Sequence, residues 1–145
     1  MPKKLRARKR PQIPFQFRIK KTLNDEKSNE ELSRLRIIRI LNDDFRYFSL
    51  KDFRQIASSQ HVFLSPRILE FDLIDQWAVI DLVKNYRVFD EENDFLHESG
   101  RFTYAQNAIV WEIHCFDNSL KDPSPDPSDI HCTHRHITIA FDGEI

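Results

Sequence analysis

The chain has only two glycines, Gly100 and Gly143, among its 145 residues. Loops that cradle phosphates need glycine wherever the backbone must approach the ligand closely, so this scarcity argues against a glycine-rich nucleotide fold. Two cysteines, Cys115 and Cys132, are too few for a disulfide framework. No apolar run nears the roughly 20 residues that span a bilayer. The N-terminus is charged and lacks the apolar stretch of a secretory signal. The expected location is the cytoplasm, with no membrane partner.

What is present is enough for one packed core. The length falls within the single-domain range. Hydrophobic residues make up 40% of the chain and aromatic residues 12%, with 12 phenylalanines among them. The formal net charge of -1 hides an asymmetry, because residues 1–21 hold nine of the 22 Lys and Arg and no acid. The other 13 basic residues face 23 acidic ones, a balance of −10. Two parts of opposite charge follow: a basic tail over residues 1–27 and an acidic domain over 28–145.

The tail carries Lys3, Lys4, Arg6, Arg8, Lys9 and Arg10, then Pro11-Gln12-Ile13-Pro14. Its charges repel and it has little to bury, so it reads as largely disordered. The exception is Phe15-Gln16-Phe17-Arg18-Ile19, whose alternation fits a short strand docked on the domain. Such a tail suits non-specific contact with nucleic acid or an acidic surface, or serves only as a solubilising extension.

Ser28 with Glu31 forms a capping-box pattern at a helix start. Leu32, Leu35, Ile38, Leu41, Phe45 and Phe48 follow on one predicted face, with Arg34, Arg36, Arg39 and Arg46 off it. A short helical piece over 50–58 and a short strand at His61-Val62-Phe63-Leu64 come next. Ser65-Pro66 opens a second helix running to about Tyr86, with a core stripe at Leu69, Leu73, Trp77, Ile80 and Val83. Three β-like stretches follow the acidic turn at 90–94, at about 101–104, 109–116 and 130–141. Asp117–Asp129 holds Pro123, Pro125 and Pro127 and is a loop. The expected fold class is α+β, with N-terminal helices packed on a C-terminal antiparallel sheet.

Several segments together resemble the bacterial domain-of-unknown-function family 3768. Ile38-Arg39-Ile40-Leu41-Asn42-Asp43-Asp44-Phe45-Arg46 is similar to that family's "IRxLNDxFR". Phe89-Asp90-Glu91-Glu92-Asn93-Asp94, with His97 and Glu98 beyond, resembles "FDxDNDPxGEHDFG". Val110-Trp111-Glu112-Ile113-His114-Cys115-Phe116-Asp117 is similar to "FWKIDYYD", and Ser124-Pro125-Asp126-Pro127 to "SPDPADP". Arg135-His136-Ile137-Thr138-Ile139 resembles "TRRVLTI". The resemblance implies a small accessory protein, often of plasmids and other mobile elements, with no assigned activity. Glu112 and His114 stand where the family pattern has lysine and aspartate, so the resemblance carries no site over.

Three constellations could carry chemistry. Cys132, His134 and His136 alternate on the predicted last strand and would share a face. With Glu112 and His114 from a neighbouring strand they offer the N, S and O donors that zinc takes in a tetrahedron. The alternative is an exposed polar strand face. His136-Ile137-Thr138 also fits the H-x-T pattern of strand-borne phosphoesterases, which need a second such motif for acid and base. His131-Cys132-Thr133 lies too near to be that second motif, and His61-Val62-Phe63 lacks the hydroxyl. Finally, Asp90, Glu91, Glu92, Asp94 and Glu98 form an acidic group, a binding surface for a basic partner or a hard cation.

The sequence favours a non-catalytic binding protein. A protein partner would engage the acidic domain, and the tail would add nucleic-acid contact. The mobile-element setting suggests an anti-defence role, as inhibitor of a restriction or CRISPR-type complex. No cofactor is expected on this reading. The rival is a metal-dependent phosphodiesterase or nuclease holding zinc or another divalent metal through His134, His136, His114 and Glu112.

Overall fold

A computed structural model describes residues 29–145. The basic tail, the expected strand at 15–19 and the Ser28 cap lie outside the described residues. Helix α1 is Asn29–Leu50, and the short helix α2 is Phe53–Ile56. Strand β1, Val62–Leu64, leads into helix α3, Pro66–Leu69, and helix α4, Leu73–Lys84. Strands β2 (Ser99–Tyr104), β3 (Asn107–Phe116) and β4 (His134–Phe141) complete the chain. The fold is α+β, with its helices in the N-terminal half and its sheet mainly in the C-terminal half.

The sheet order is β1-β4-β3-β2. β2, β3 and β4 pair antiparallel as expected. β1 adds a short parallel strand on the far side of β4, so the sheet is mixed. One face of the sheet carries Ile109, Trp111, Ile113, Ile137, Ile139 and Phe141, which pack with Ile68, Val79, Ile80 and Val83 from the helices. Alternation along each strand puts Val110, Glu112, His114, His136, Thr138 and Ala140 on the opposite face.

Two helix expectations need correction. The second helix is two helices, because the chain breaks at Phe71 and Asp72 re-caps, accepting from Asp75 N at 2.8 Å. The break rotates the apolar stripe: Leu69, Leu73 and Trp77 are all more than half exposed, while Ile68, Val79, Ile80 and Val83 are buried. In α1 the end of the predicted face is displaced as well. Phe48 is exposed, and Asn42 and Arg46 are buried in its stead.

A buried Arg46 needs partners, since an ion removed from water is costly. Its Nη2 lies 3.2 Å from Asp43 Oδ1 and donates to the Tyr86 carbonyl at 3.3 Å. Its guanidinium carbon stands 5.0 Å from the Trp111 ring and 5.4 Å from Phe89. Ring faces thus take the place of hydrogen-bond acceptors for the rest of the group.

The scarcity of glycine shows in the backbone. The β2–β3 hairpin turns through Ala105 (φ 48) and Gln106 (φ 65). Two left-handed residues in a two-residue loop make the turn that matches strand twist. His97 (φ 52) and Leu120 (φ 63) also sit in this region, usually left to glycine or asparagine.

Candidate functional site

The face of the sheet opposite the core forms the floor of a groove of about 1020 Å³. Antiparallel register sets its chemistry. His114 pairs with His136, Glu112 with Thr138 and Phe116 with His134. Parallel pairing of Phe63 with Thr138 extends the floor onto β1. The proline loop, Pro123 to Pro127, forms one wall, and Arg34 and Ile38 of α1 contribute to the lining. Arg34 Nη1 reaches Asp126 Oδ1 at 3.3 Å and so ties helix to loop. The Ser128 hydroxyl, donating to the same carboxylate at 2.6 Å, holds Asp126 below the ordinary aspartate range.

Histidine and phenylalanine alternate across the groove floor. The His136 ring lies 5.5 Å from His61, 5.4 Å from Phe63 and 5.2 Å from Phe116. Burial, then the neighbouring His61, His134 and His114, pull the His136 pKa below its ordinary value. His114 Nε2 stands 3.4 Å from Glu112 Oε1, a carboxylate that is itself buried.

The structure thus brings together His114, His136 and Glu112 of the predicted set. It does not bring Cys132. β4 begins at His134, so Cys132 lies in the preceding turn and not in alternation with the histidines. The prolines and the Asp129–Cys132 turn, closed by Cys132 N donating to the Asp129 carbonyl at 3.3 Å, delay the strand. Its Sγ lies 3.6 Å from the carbonyls of Asp126 and Asp129. His134 turns outward to Asn118 Oδ1 at 3.1 Å. Among the described residues no three of His, Cys, Asp and Glu are grouped as metal ligands. His61-Val62-Phe63 does lie alongside His136-Ile137-Thr138 in register, with phenylalanine where a second hydroxyl would stand. Burial pushes the Cys115 thiol up to about 11, which leaves it almost wholly protonated at neutral pH.

The acidic group divides. Asp90 and Asp94 close their own loop: Asp94 N donates to the Asp90 carbonyl at 2.7 Å, and Asp90 Oδ2 accepts from Asn93 Nδ2 at 2.8 Å. Glu91 pairs with Arg39 at 3.3 Å, and Glu92 is exposed. Glu98 parts from them to line the groove near Glu112.

A second, smaller pocket of about 460 Å³ escaped the sequence reading. There His97 Nδ1 meets Asp43 Oδ1 at 2.9 Å while its ring stacks on Phe89 with centroids 3.8 Å apart. Asp44, Arg46, Tyr47, Lys84, Arg87 and Glu91 complete the lining. The signal was present in the motif residues Asp43, Phe89 and His97, which lie in separate segments that only the fold unites. No helix among the described residues is long and apolar enough to cross a membrane.

The model of a protein family described as "Protein of unknown function (DUF3768)" matches residues 51–144. The match takes in β1 to β4 and the groove floor, and begins just after α1. Comparison with curated proteins and with solved structures finds no match.

Proposed function

The chain belongs to the DUF3768 family, from which no activity can be borrowed, and we propose from the geometry that it is a non-catalytic binding protein. The groove on the open face of the sheet carries this reading. Its floor follows the pairing of β3 with β4, and Glu98, Glu112, Asp126 and Glu144 outnumber Arg34 and Lys121 in its lining. Phe63, Phe116 and Ala140 supply apolar contacts beside them. The matching ligand is an extended, basic, apolar-bearing segment of a partner protein. The chain's basic tail adds nucleic-acid contact. As a finer proposal, the partner belongs to a restriction or CRISPR-type complex, the anti-defence role suggested by the mobile-element setting.

The experiment is a pull-down from nuclease-treated bacterial lysate with the full chain and with Thr138→Lys as baits. Thr138 is half-buried on the groove floor. A stoichiometric protein retained by the native chain and lost with Thr138→Lys supports the groove. Equal capture by both baits places the binding surface elsewhere and sinks the proposal.

The rival metal-dependent phosphodiesterase is favoured by one observation, the His114–His136 cross-strand pair with Glu112 beside it. The histidines would hold a divalent ion through ring nitrogens, and Glu112 would act on water. Replacing His134 and His136 together by alanine separates the readings. Metal binding and phosphodiesterase activity that the native chain shows and the double variant lacks support the enzyme, and a native chain that shows neither sinks it.

A further inference from the structure

We propose that the groove is also the seat of the chain's own segment Ile13–Ile19, which occupies it until a partner displaces it. This inference rests on the groove reading and adds its regulation. The first argument is position. The described chain starts at Asn29, and Arg34, about 7.5 Å further along α1, lines the groove. The described domain therefore begins close to the groove wall. The ten residues from Ile19 to Asn29 can span up to about 33 Å, enough to reach any part of the sheet.

The second argument is fit. Ile13, Phe15, Phe17 and Ile19 alternate with Pro14, Gln16 and Arg18, so an extended backbone presents four apolar side chains on one side. Seven extended residues cover about 23 Å, close to the length of β4. Phe63 and Phe116, which line the floor, offer rings for those side chains to pack on. The third argument is charge. Residues 1–21 carry nine basic groups and no acid, and the rest of the chain carries an acidic excess. Arg18, Lys20 and Lys21 then lie within reach of Glu98, Glu112 and Glu144.

The arrangement makes the tail a built-in competitor. A partner segment of the same chemistry binds only by displacing it, so its measured affinity is lowered by the fraction of grooves already filled. Lys3 to Arg10 lie upstream of the docked stretch and stay available for nucleic acid.

Two measurements on the full chain test this. In the first, Phe17→p-benzoylphenylalanine is irradiated and the cross-linked residues are mapped by mass spectrometry. Intramolecular cross-links to the groove face of β3 and β4 are expected. Cross-links only between chains, or only to the helices, overturn the proposal. In the second, a synthetic peptide of residues 11–21 is titrated into the native chain and into Phe15→Ser/Phe17→Ser. The variant should bind it at least tenfold more tightly, with amide shifts at His114, His136 and Thr138. Equal binding to both chains overturns self-occupancy and leaves the groove reading standing. Binding to neither chain overturns both. Should the double variant fail to fold, the cross-linking result decides alone.

Discussion

Asn42 Oδ1 accepts a 2.8 Å hydrogen bond from Arg135 Nε, a buried contact across 93 positions of chain. Asn42 Nδ2 donates in turn to the Leu96 carbonyl at 2.9 Å, and Arg135 Nη2 to the Pro127 carbonyl at 2.6 Å. Helix α1, the loop before β2, strand β4 and the proline loop are thereby joined through two side chains. Asn42→Ala strips a partner from a buried guanidinium, which should cost about 2–4 kcal/mol. A urea midpoint lowered with unchanged slope is the expected result. A loss below about 1 kcal/mol would show that the network is dispensable.

The hairpin at Ala105 and Gln106 is a site of easy stabilisation. Both residues hold left-handed backbone that costs roughly 1 kcal/mol each for an ordinary side chain. Ala105→Asn with Gln106→Gly supplies the residues this turn prefers. A stability gain of about 1 kcal/mol is expected, read as a raised Tm, after allowing for the added freedom of glycine in the unfolded chain. A lowered Tm would contradict the turn geometry.

Stability should fall on acidification through the range where His136 titrates. The folded chain holds this imidazole below its ordinary 6.5, chiefly by burial. The unfolded chain takes up its proton at about 6.5, so it binds more protons from there down to the folded value. Stability is therefore full above about pH 6.5 and is lost as pH drops toward the lower folded pKa. His61, His114 and His134 face the same ring, and Glu112 lies beside His114. Urea midpoints at about pH 7.5 and 5.5 should diverge more for the native chain than for His136→Gln. Parallel losses would assign the acid sensitivity to other groups.

Replacing Lys3, Lys4, Arg6, Arg8, Lys9 and Arg10 by glutamine should weaken duplex DNA binding and flatten its salt dependence. Each phosphate contact contributes about 0.9 to the log–log slope, so the six-fold change removes up to about 5. Anisotropy of a labelled duplex between about 50 and 200 mM salt reads this directly. An unchanged slope would show that the tail carries none of the contact.

Much of this organisation could be read along the chain because it follows local rules. The β2–β4 meander, the proline loop and the start at Pro66 each have short-range causes. What misled were residues whose partners come from afar. Arg46 looks like a solvated helix residue until Asp43, Tyr86, Phe89 and Trp111 surround it. The break before Asp72 is hidden because its apolar spacing continues smoothly through Leu69, Leu73 and Trp77. Register placed His114 opposite His136, which alternation alone leaves open. Cys132 was assigned to β4 because nothing in the residue string marks His134 as the first strand residue. The Asp43–His97 pair spans 54 positions, and no pattern within one segment could join them.

The two tryptophans sit in opposite surroundings. Trp111 has no exposed surface, whereas Trp77 keeps 58% and rests on Phe53 with ring centroids 6.0 Å apart. Their light emission should separate accordingly, blue from the enclosed indole and red from the wet one. Acrylamide would quench the red component and spare the blue. The unaltered protein thus contains its own optical gauge of the interior, and a blue signal that begins to quench marks the moment the sheet opens.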